Sequence, residues 1–168
     1  LFGALGAMAR ELDRPADAAR WDAALARMAP LAVDDAQVLR VSADESLTTS
    51  HRHFSHLMAI HPLGTLNVEG SARDRDVVHA SLDHLASLGT KQWVGYSFSW
   101  AACLEARAAR GERALAYLST FVNAFILRNG FHVNGDQTKS GLSNFTYRPF
   151  TLEGNFTAMQ AVHEMLLQ

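Results

Sequence analysis

The stretch that decides the fold runs from residue 95 to residue 127 and reads GYSFSWAACLEARAARGERALAYLSTFVNAFIL. Apolar and alanine positions recur at helical spacing along it, and Gly111 interrupts the pattern. A glycine just past a run of this kind commonly ends a helix. The stretch therefore predicts one helix over Gly95–Ala109 and a second over Glu112–Leu127, ended before Asn129-Gly130, and the two should pack as a hairpin.

Two shorter helices are predicted at the start of the chain. Phe2–Leu12 and Ala16–Met28 both carry apolar or alanine positions at helical spacing. Arg14-Pro15 separates them, and proline suits the first turn of the second helix. We expect these two helices to form an antiparallel pair.

The most regular pattern covers Arg73–Leu88. Ser71 followed three residues later by Asp74 resembles a capping box with Asp in place of Glu. One apolar stripe then runs along the helix through Val77, Val78, Leu82, Leu85 and Ala86. At the other end of the chain, Asn155 is expected to cap a last helix that runs to Leu167.

A long loop over residues 129 to 155 precedes this last helix and is rich in Gly, Asn, Thr and aromatic residues. Short strands are expected around Phe131–Val133 and Phe150–Leu152, and a short helix over Phe54–Ile60. Long ordered loops tend to be functional. Four polar residues of this loop are dense enough for a contact at the rim of a site, but their spacing specifies no cation site: His132, Asn134, Asp136 and Gln137.

Helix hairpins with chemistry in their connections predict an all-α fold, an α/α toroid or solenoid. A closed double ring of about a dozen helices needs at least about twice the length of this chain. The 168 residues therefore fit only part of one, as a single segment. The chain also opens at Leu1 without a methionine, as an excised or incomplete piece would.

Composition excludes several classes of partner. The formal net charge of -2 and the absence of a basic run argue against nucleic acid and anionic membranes. No apolar span reaches about 18 residues, so the sequence predicts no membrane crossing. Cys103 is the only cysteine, lies in an apolar segment, and is expected to be a buried side chain. Neither the single cysteine nor the lack of a long apolar span indicates a cellular compartment.

The stretch TSHRHFSHLMAIHPLG, Thr49–Gly64, holds four of the eight histidines of the chain. A fold needs no such cluster, so the stretch is a candidate site. His53 and His56 are three residues apart and would share one helical face, which permits a zinc site. No third ligand is specified nearby, and hydrogen bonding within the fold is the other interpretation open at this point.

Three segments resemble glycoside hydrolase family 95, the inverting α-L-fucosidases and their relatives. HRHFSHLMAIHP is similar to its His-Arg-His-x-Ser-His-Leu signature, and GYSFSWAACLEARAARGERAL to its Gly-Trp-Ser helix and Gly-Glu-Arg-Ala turn. RPFTLEGNFTAMQAVHEMLLQ resembles its closing Asp-Gly-Asn-Phe segment and last helix. The resemblance implies the C-terminal part of a catalytic (α/α)6 barrel, with no cofactor, a carbohydrate as substrate, and the missing N-terminal part of the barrel as partner.

The resemblance also implies a catalytic residue. An inverting glycosidase needs one carboxylic acid to protonate the leaving oxygen and one carboxylate to activate water. Glu153 stands where the family usually has the Asp of its closing motif, so it is the expected base. An ordinary acidic residue at a helix start is the alternative. The general acid of the family lies in an upstream motif that this chain does not show.

Sugar-binding residues follow from the same resemblance. Imidazoles and a guanidinium offer planar donors to sugar hydroxyls, so His51, Arg52, His53 and His56 suit a glycone-binding wall. One or more of them is equally well explained by structural hydrogen bonds. A sugar ring stacks on aromatic planes, which makes Trp93 and Tyr96 candidates for a subsite, although packing in the core is the commoner role. Asn155 is either a helix cap or a substrate ligand.

Hydrolysis of terminal α-L-fucoside or related L-sugar linkages is therefore the leading functional hypothesis, with the segment alone inactive because it holds one of the two carboxyls. A non-catalytic helical carbohydrate-binding or scaffold module is the first alternative. A zinc hydrolase that uses the histidines is the second.

Overall fold

The computed structural model describes residues 1–167, which form six α-helices joined by turns and loops. Over these residues β-structure is limited to isolated bridges, so the predicted all-α class is confirmed. None of the described helices is long and apolar enough to cross a membrane. The helices are α1 (Phe2–Glu11), α2 (Pro15–Ala26), α3 (Ala72–Ser87), α4 (Gly95–Arg107), α5 (Gly111–Phe125) and α6 (Glu153–Leu167).

The chain divides into two compact units, of which the first covers Leu1–Leu31 and the second begins at Ala32. In the first unit, a Cβ built on Gly3 would lie 3.9 Å from Leu25, and one on Gly6 would lie 2.8 Å from the Asp22 carboxylate. Gly3, near the start of α1, thus faces the end of α2, and Gly6 faces a residue one turn earlier in α2. The two helices are therefore antiparallel, as predicted. Proline at the first position of α2 also matches the prediction.

In the second unit, α3 begins with the predicted capping box. The Ser71 hydroxyl accepts a hydrogen bond from the Asp74 amide at 3.1 Å, and the Asp74 carboxylate accepts one from the Ser71 amide at 3.1 Å. Of the predicted stripe, Ala86 is exposed and the others are buried. This helix needs only local sequence for its start, because both capping partners lie within one turn.

The α4–α5 hairpin lies at the centre of the second unit. Almost every residue of α4 is buried, and Phe98 packs on Phe125 near the end of α5 with ring centroids 5.0 Å apart. The predicted hairpin is confirmed. α4 ends at Arg107 rather than at Ala109, because Ala109 adopts a positive φ of 57° that a helix does not allow.

Helices α4 and α6 lie side by side and run parallel. At their first residues, His132 lies against both Gly95 and Gly154, and near their last residues Arg107 pairs with Glu164. α5 returns antiparallel to α4 between them in sequence. Two parallel helices joined through an antiparallel one form the arrangement of part of an (α/α)6 toroid.

Three expectations about local structure are wrong. The helix expected over Phe54–Ile60 is a single 3-10 turn over Ser55–Leu57 followed by further turns. The two short strands expected in the loop reduce to isolated bridges, in which Val133 pairs with Phe150.

The third error concerns the cap of α6. The helix begins at Glu153, so Asn155 lies inside its first turn and is not the N-cap. The Leu152 carbonyl accepts the amides of Asn155 at 3.0 Å and of Phe156 at 3.3 Å. The Asn155 side chain is instead bonded to the preceding loop, which helical spacing alone does not reveal.

Candidate functional site

The histidine-rich segment is anchored by one aromatic residue and leaves its polar side chains in solvent. Phe54 is fully buried, with its ring centroid 4.9 Å from that of Trp93 and 5.3 Å from that of Trp100. The three residues before Phe54 are exposed: His51, Arg52 and His53. Their side chains are therefore accessible to a ligand.

Backbone contacts fix this segment at the start of α4. The Ser97 hydroxyl, in the first turn of α4, donates to the Arg52 carbonyl at 2.8 Å. One residue before His51, the Ser50 hydroxyl donates to the Gly89 carbonyl at 2.8 Å and accepts from the Gln92 amide at 3.1 Å. The exposed side chains thus project from a backbone that is held at both ends.

The first two histidines of the segment interact directly. The imidazole Nδ1 of His51 accepts a hydrogen bond from the His53 amide at 3.1 Å, and the ring centroids are 5.4 Å apart. Partial burial lowers the pKa of His53, and the charges of Arg52 and His51 act in the same direction. A neutral His53 imidazole offers one donor and one acceptor to a hydroxyl group.

His56 lies in the 3-10 turn and is half-buried. Burial lowers the pKa of His56 to about 4, with a smaller contribution from His84. His56 is therefore neutral at neutral pH. Within residues 1–167, no three His, Cys, Asp or Glu side chains lie close enough together to hold a metal ion.

Glu153 is the first residue of α6 and is exposed. A negative side chain at this position is stabilising, because the start of a helix carries a partial positive charge. The Thr157 hydroxyl donates to the Glu153 carbonyl at 2.9 Å and leaves the carboxylate unobstructed. An exposed carboxylate at a helix start is able to accept a proton from water.

His132 joins the starts of α4 and α6. It is fully buried, and its imidazole Nδ1 lies 2.7 Å from the Thr151 carbonyl oxygen. A Cβ built on Gly95 would lie 2.2 Å from its Nε2, and one built on Gly154 would lie 2.3 Å from its Nδ1. Through this ring, Glu153 and the histidine-rich segment lie at the same end of the helix pair.

The amide of Asn155 is committed to the backbone of the loop. Its Oδ1 accepts a hydrogen bond from the His132 amide at 2.9 Å, and its Nδ2 donates to the Gly130 carbonyl at 2.9 Å. Both polar atoms of the side chain thus have protein partners. The sequence leaves open whether Asn155 is a cap or a ligand, and the structure gives it a third arrangement.

The two aromatic candidates differ in exposure. Trp93 is fully buried and packs against Phe54, Phe98 and Tyr117, so neither face of its indole is open to a ligand. Tyr96 is half-buried on the first turn of α4. It lines a cavity of about 500 Å³. Other residues around this cavity include Met58, His61, Trp100, Phe156 and Thr157.

This cavity receives residues from all three segments that the resemblance singled out. The sequence marks Tyr96 but not His61 or Phe156 as a lining residue. For His132, the sequence indicates only a polar residue of the loop. The signal for it would have been Gly95 and Gly154 in the first turns of α4 and α6, but nothing local connects these glycines to a residue in the loop.

The chain is similar to a known family and to a curated protein. The glycosyl hydrolase family 95 catalytic domain matches residues 1–166. Alpha-L-fucosidase 2 of Arabidopsis thaliana is 29% identical over 148 residues, which is 87% of this chain. The chain spans 17% of the length of that relative.

Proposed function

The chain belongs to glycosyl hydrolase family 95, and from that premise we propose that its parent protein hydrolyses terminal α-L-fucoside or related L-sugar linkages with inversion. A family match over nearly the whole chain supports a glycoside as the substrate class. The name of the Arabidopsis relative supports the fucoside. The activity belongs to the parent protein, since this chain corresponds to a small part of that relative.

In the proposed reaction Glu153 is the general base. Its carboxylate removes a proton from a water molecule while the water oxygen attacks the anomeric carbon. The bond between that carbon and the leaving oxygen breaks, and a carboxylic acid outside this chain gives the leaving oxygen its proton. The observation that carries this role is the exposed carboxylate of Glu153 at the start of α6, at the same end as the histidine-rich segment.

We assign glycone binding to His51, Arg52, His53 and His56. The first three are exposed on a backbone held against α4, and neutral imidazoles both donate to and accept from hydroxyl groups. Tyr96 adds an aromatic surface beside the cavity. Trp93 is buried and both amide atoms of Asn155 are bonded to the backbone, so we propose no sugar contact for either.

The rest of the same catalytic domain is the proposed partner of α6. This helix exposes a set of large apolar side chains while its opposite face packs on α4. A helix that is apolar on both faces is normally covered on both. The exposed residues are Phe156, Met159, Val162, Leu166 and Leu167.

The test uses the full-length parent protein with an aryl α-L-fucoside and an aryl α-L-galactoside. Glu153→Gln keeps the size of the side chain but removes the base, so kcat on the preferred substrate should fall about a hundredfold or more. Glu112→Gln is the matched control, because Glu112 is also an exposed glutamate in the first turn of a helix. Proton NMR of the first sugar released should show the inverted anomer.

Two outcomes would contradict the proposal. A near-normal kcat in Glu153→Gln would remove this residue from the mechanism. Saturable sugar binding without turnover by the wild-type parent protein would favour the non-catalytic carbohydrate-binding module instead.

A further inference from the structure

The ring of His132 occupies a space that only two glycines leave open. Cβ atoms at positions 95 and 154 would lie 2.2 Å and 2.3 Å from imidazole atoms, far inside van der Waals contact. Any side chain at either position would therefore displace the ring. The ring of His132 lies between the backbones of α4 and α6 at their first turns.

Hydrogen bonds fix the orientation of this ring. Nδ1 lies 2.7 Å from the Thr151 carbonyl oxygen and 2.8 Å from the Thr151 hydroxyl, which itself donates to Oδ1 of Asn134 at 3.2 Å. A carbonyl oxygen only accepts, so Nδ1 is the nitrogen that donates. Nε2 is buried against Gly95 and has no hydrogen-bond partner among the described residues. Burial also lowers the pKa of His132. The ring thus has a fixed orientation between two backbones.

The backbone of His132 is tied to α6 as well. Its amide donates to Oδ1 of Asn155, and Nδ2 of Asn155 donates to the Gly130 carbonyl. Asn155 lies two residues after Glu153 in the first turn of α6. The turn that carries the carboxylate is therefore bonded to the loop at Gly130 and at His132.

From these contacts we propose that His132 is the positioning residue that sets the place of the Glu153 carboxylate relative to the histidine-rich segment. Glu153 immediately precedes Gly154, and Ser97, two residues after Gly95, holds the Arg52 carbonyl. Removal of the ring would therefore shift the Glu153 carboxylate relative to the Arg52 carbonyl. The inference rests on the proposed role of Glu153 as base, and His132 itself exchanges no proton in the reaction.

A residue that only fills the core would give a different result from a positioning residue. Loss of a filler lowers stability and affects activity independently of Glu153. A positioning residue acts through Glu153, so its loss costs catalysis only while that carboxylate is present. A misplacement of about 1 Å costs up to about a hundredfold in rate.

The experiment measures kcat of the full-length parent protein on an aryl α-L-fucoside, with the melting temperature of each variant. His132→Ala should lower kcat about ten- to a hundredfold in the wild-type background. In the Glu153→Gln background the same substitution should lower kcat less than about twofold further. His79→Ala is the matched control, since His79 is a partly buried histidine whose ring is also bonded to a carbonyl, that of Ala108 at 3.2 Å. It should lower the melting temperature without changing kcat.

A second comparison tests the spacing itself. Gly154→Ala should lower kcat, because the new methyl group collides with the ring, and His132→Ala combined with Gly154→Ala should recover at least about threefold over Gly154→Ala alone. Should His132→Ala fail to accumulate, His132→Asn keeps a donor near the Thr151 carbonyl and replaces it in both backgrounds.

The outcomes separate this inference from the proposed function. Two results would overturn the positioning role alone. One is an equal loss of kcat from His132→Ala in the two backgrounds, and the other is a normal kcat of His132→Ala in the wild-type background. A normal kcat in Glu153→Gln would overturn the assignment of the base, and the positioning role with it. Loss of the His132 effect in the Glu153→Gln background supports both.

Discussion

Arg107 and Glu164 join the last turns of α4 and α6 through two hydrogen bonds to the same carboxylate. Arg107 Nη2 donates to Oε1 at 2.8 Å, and Arg107 Nε donates to Oε2. The side chain of Glu164 is only 5% exposed, whereas that of Arg107 is 32% exposed. Together with the His132 ring at the other end, this pair fixes the parallel arrangement of the two helices.

The first prediction follows from that difference in exposure. Arg107→Met should lower the free energy of unfolding by about 3 kcal/mol or more, because it leaves a buried carboxylate without its main counter-ion. Glu164→Gln should cost less, since the remaining Arg107 charge is partly solvated. Denaturant unfolding of the full-length protein measures both.

A matched control for this prediction lies in the first unit. Arg10 and Asp22 form an ion pair at 2.8 Å with side chains that are 56% and 52% exposed. Arg10→Met should therefore cost less than about 1 kcal/mol. Equal losses from Arg10→Met and Arg107→Met would contradict the view that burial makes the second pair important.

The second prediction concerns acid stability. The pKa of His56 is about 4 in the fold and about 6.5 in an unfolded chain, so between these values the unfolded state binds more protons. Stability should therefore fall as the pH drops from about 6.5 to 4. Burial lowers the pKa of His61 and His132 as well, and both add to the same slope.

The measurement is the melting temperature of the full-length protein at a series of pH values. His56→Gln should flatten the decline between about pH 6.5 and 4, because glutamine does not titrate. The exposed His163 provides the control substitution His163→Gln, which should leave the slope unchanged. An identical slope in His56→Gln and the wild type would show that His56 titrates normally in the fold.

The third prediction separates binding from chemistry. His53→Ala in the full-length protein should raise KM for an aryl fucoside several-fold with little change in kcat, because an exposed side chain that contacts the ground state and the transition state equally contributes uniform binding. His163→Ala again serves as control and should leave both constants unchanged. A fall in kcat at unchanged KM would place His53 in the chemical step instead.

The fourth prediction concerns residues 1–168 produced alone. The exposed apolar side chains of α6 should make this segment self-associate as its concentration rises, and it should not turn over an aryl fucoside. Met159→Glu with Leu166→Glu should reduce the association, whereas Ser119→Glu on the exposed part of α5 should not. Sedimentation velocity measures the association. Rapid turnover by a monomer would contradict the prediction that the general acid lies outside this segment.

The sequence alone determined the helices whose signals are local. The capping box of Ser71 and Asp74 lies within one turn, and Gly111 marks the boundary of the α4–α5 hairpin within a continuous apolar pattern. The family resemblance was also readable, because its three segments are short strings. Such features depend on neighbours a few residues apart, so backbone geometry and spacing suffice to predict them.

Only the tertiary structure decided which candidate side chains face a ligand and which hold the fold together. Trp93 and Tyr96 look alike in sequence, but the first is enclosed by Phe54 and Tyr117, from distant parts of the chain. Asn155 reads as a cap, yet its amide bonds the backbone of His132, 23 residues earlier. These roles depend on contacts between residues far apart in sequence, and hydrophobic packing brings those residues together without leaving a periodic signal at either one.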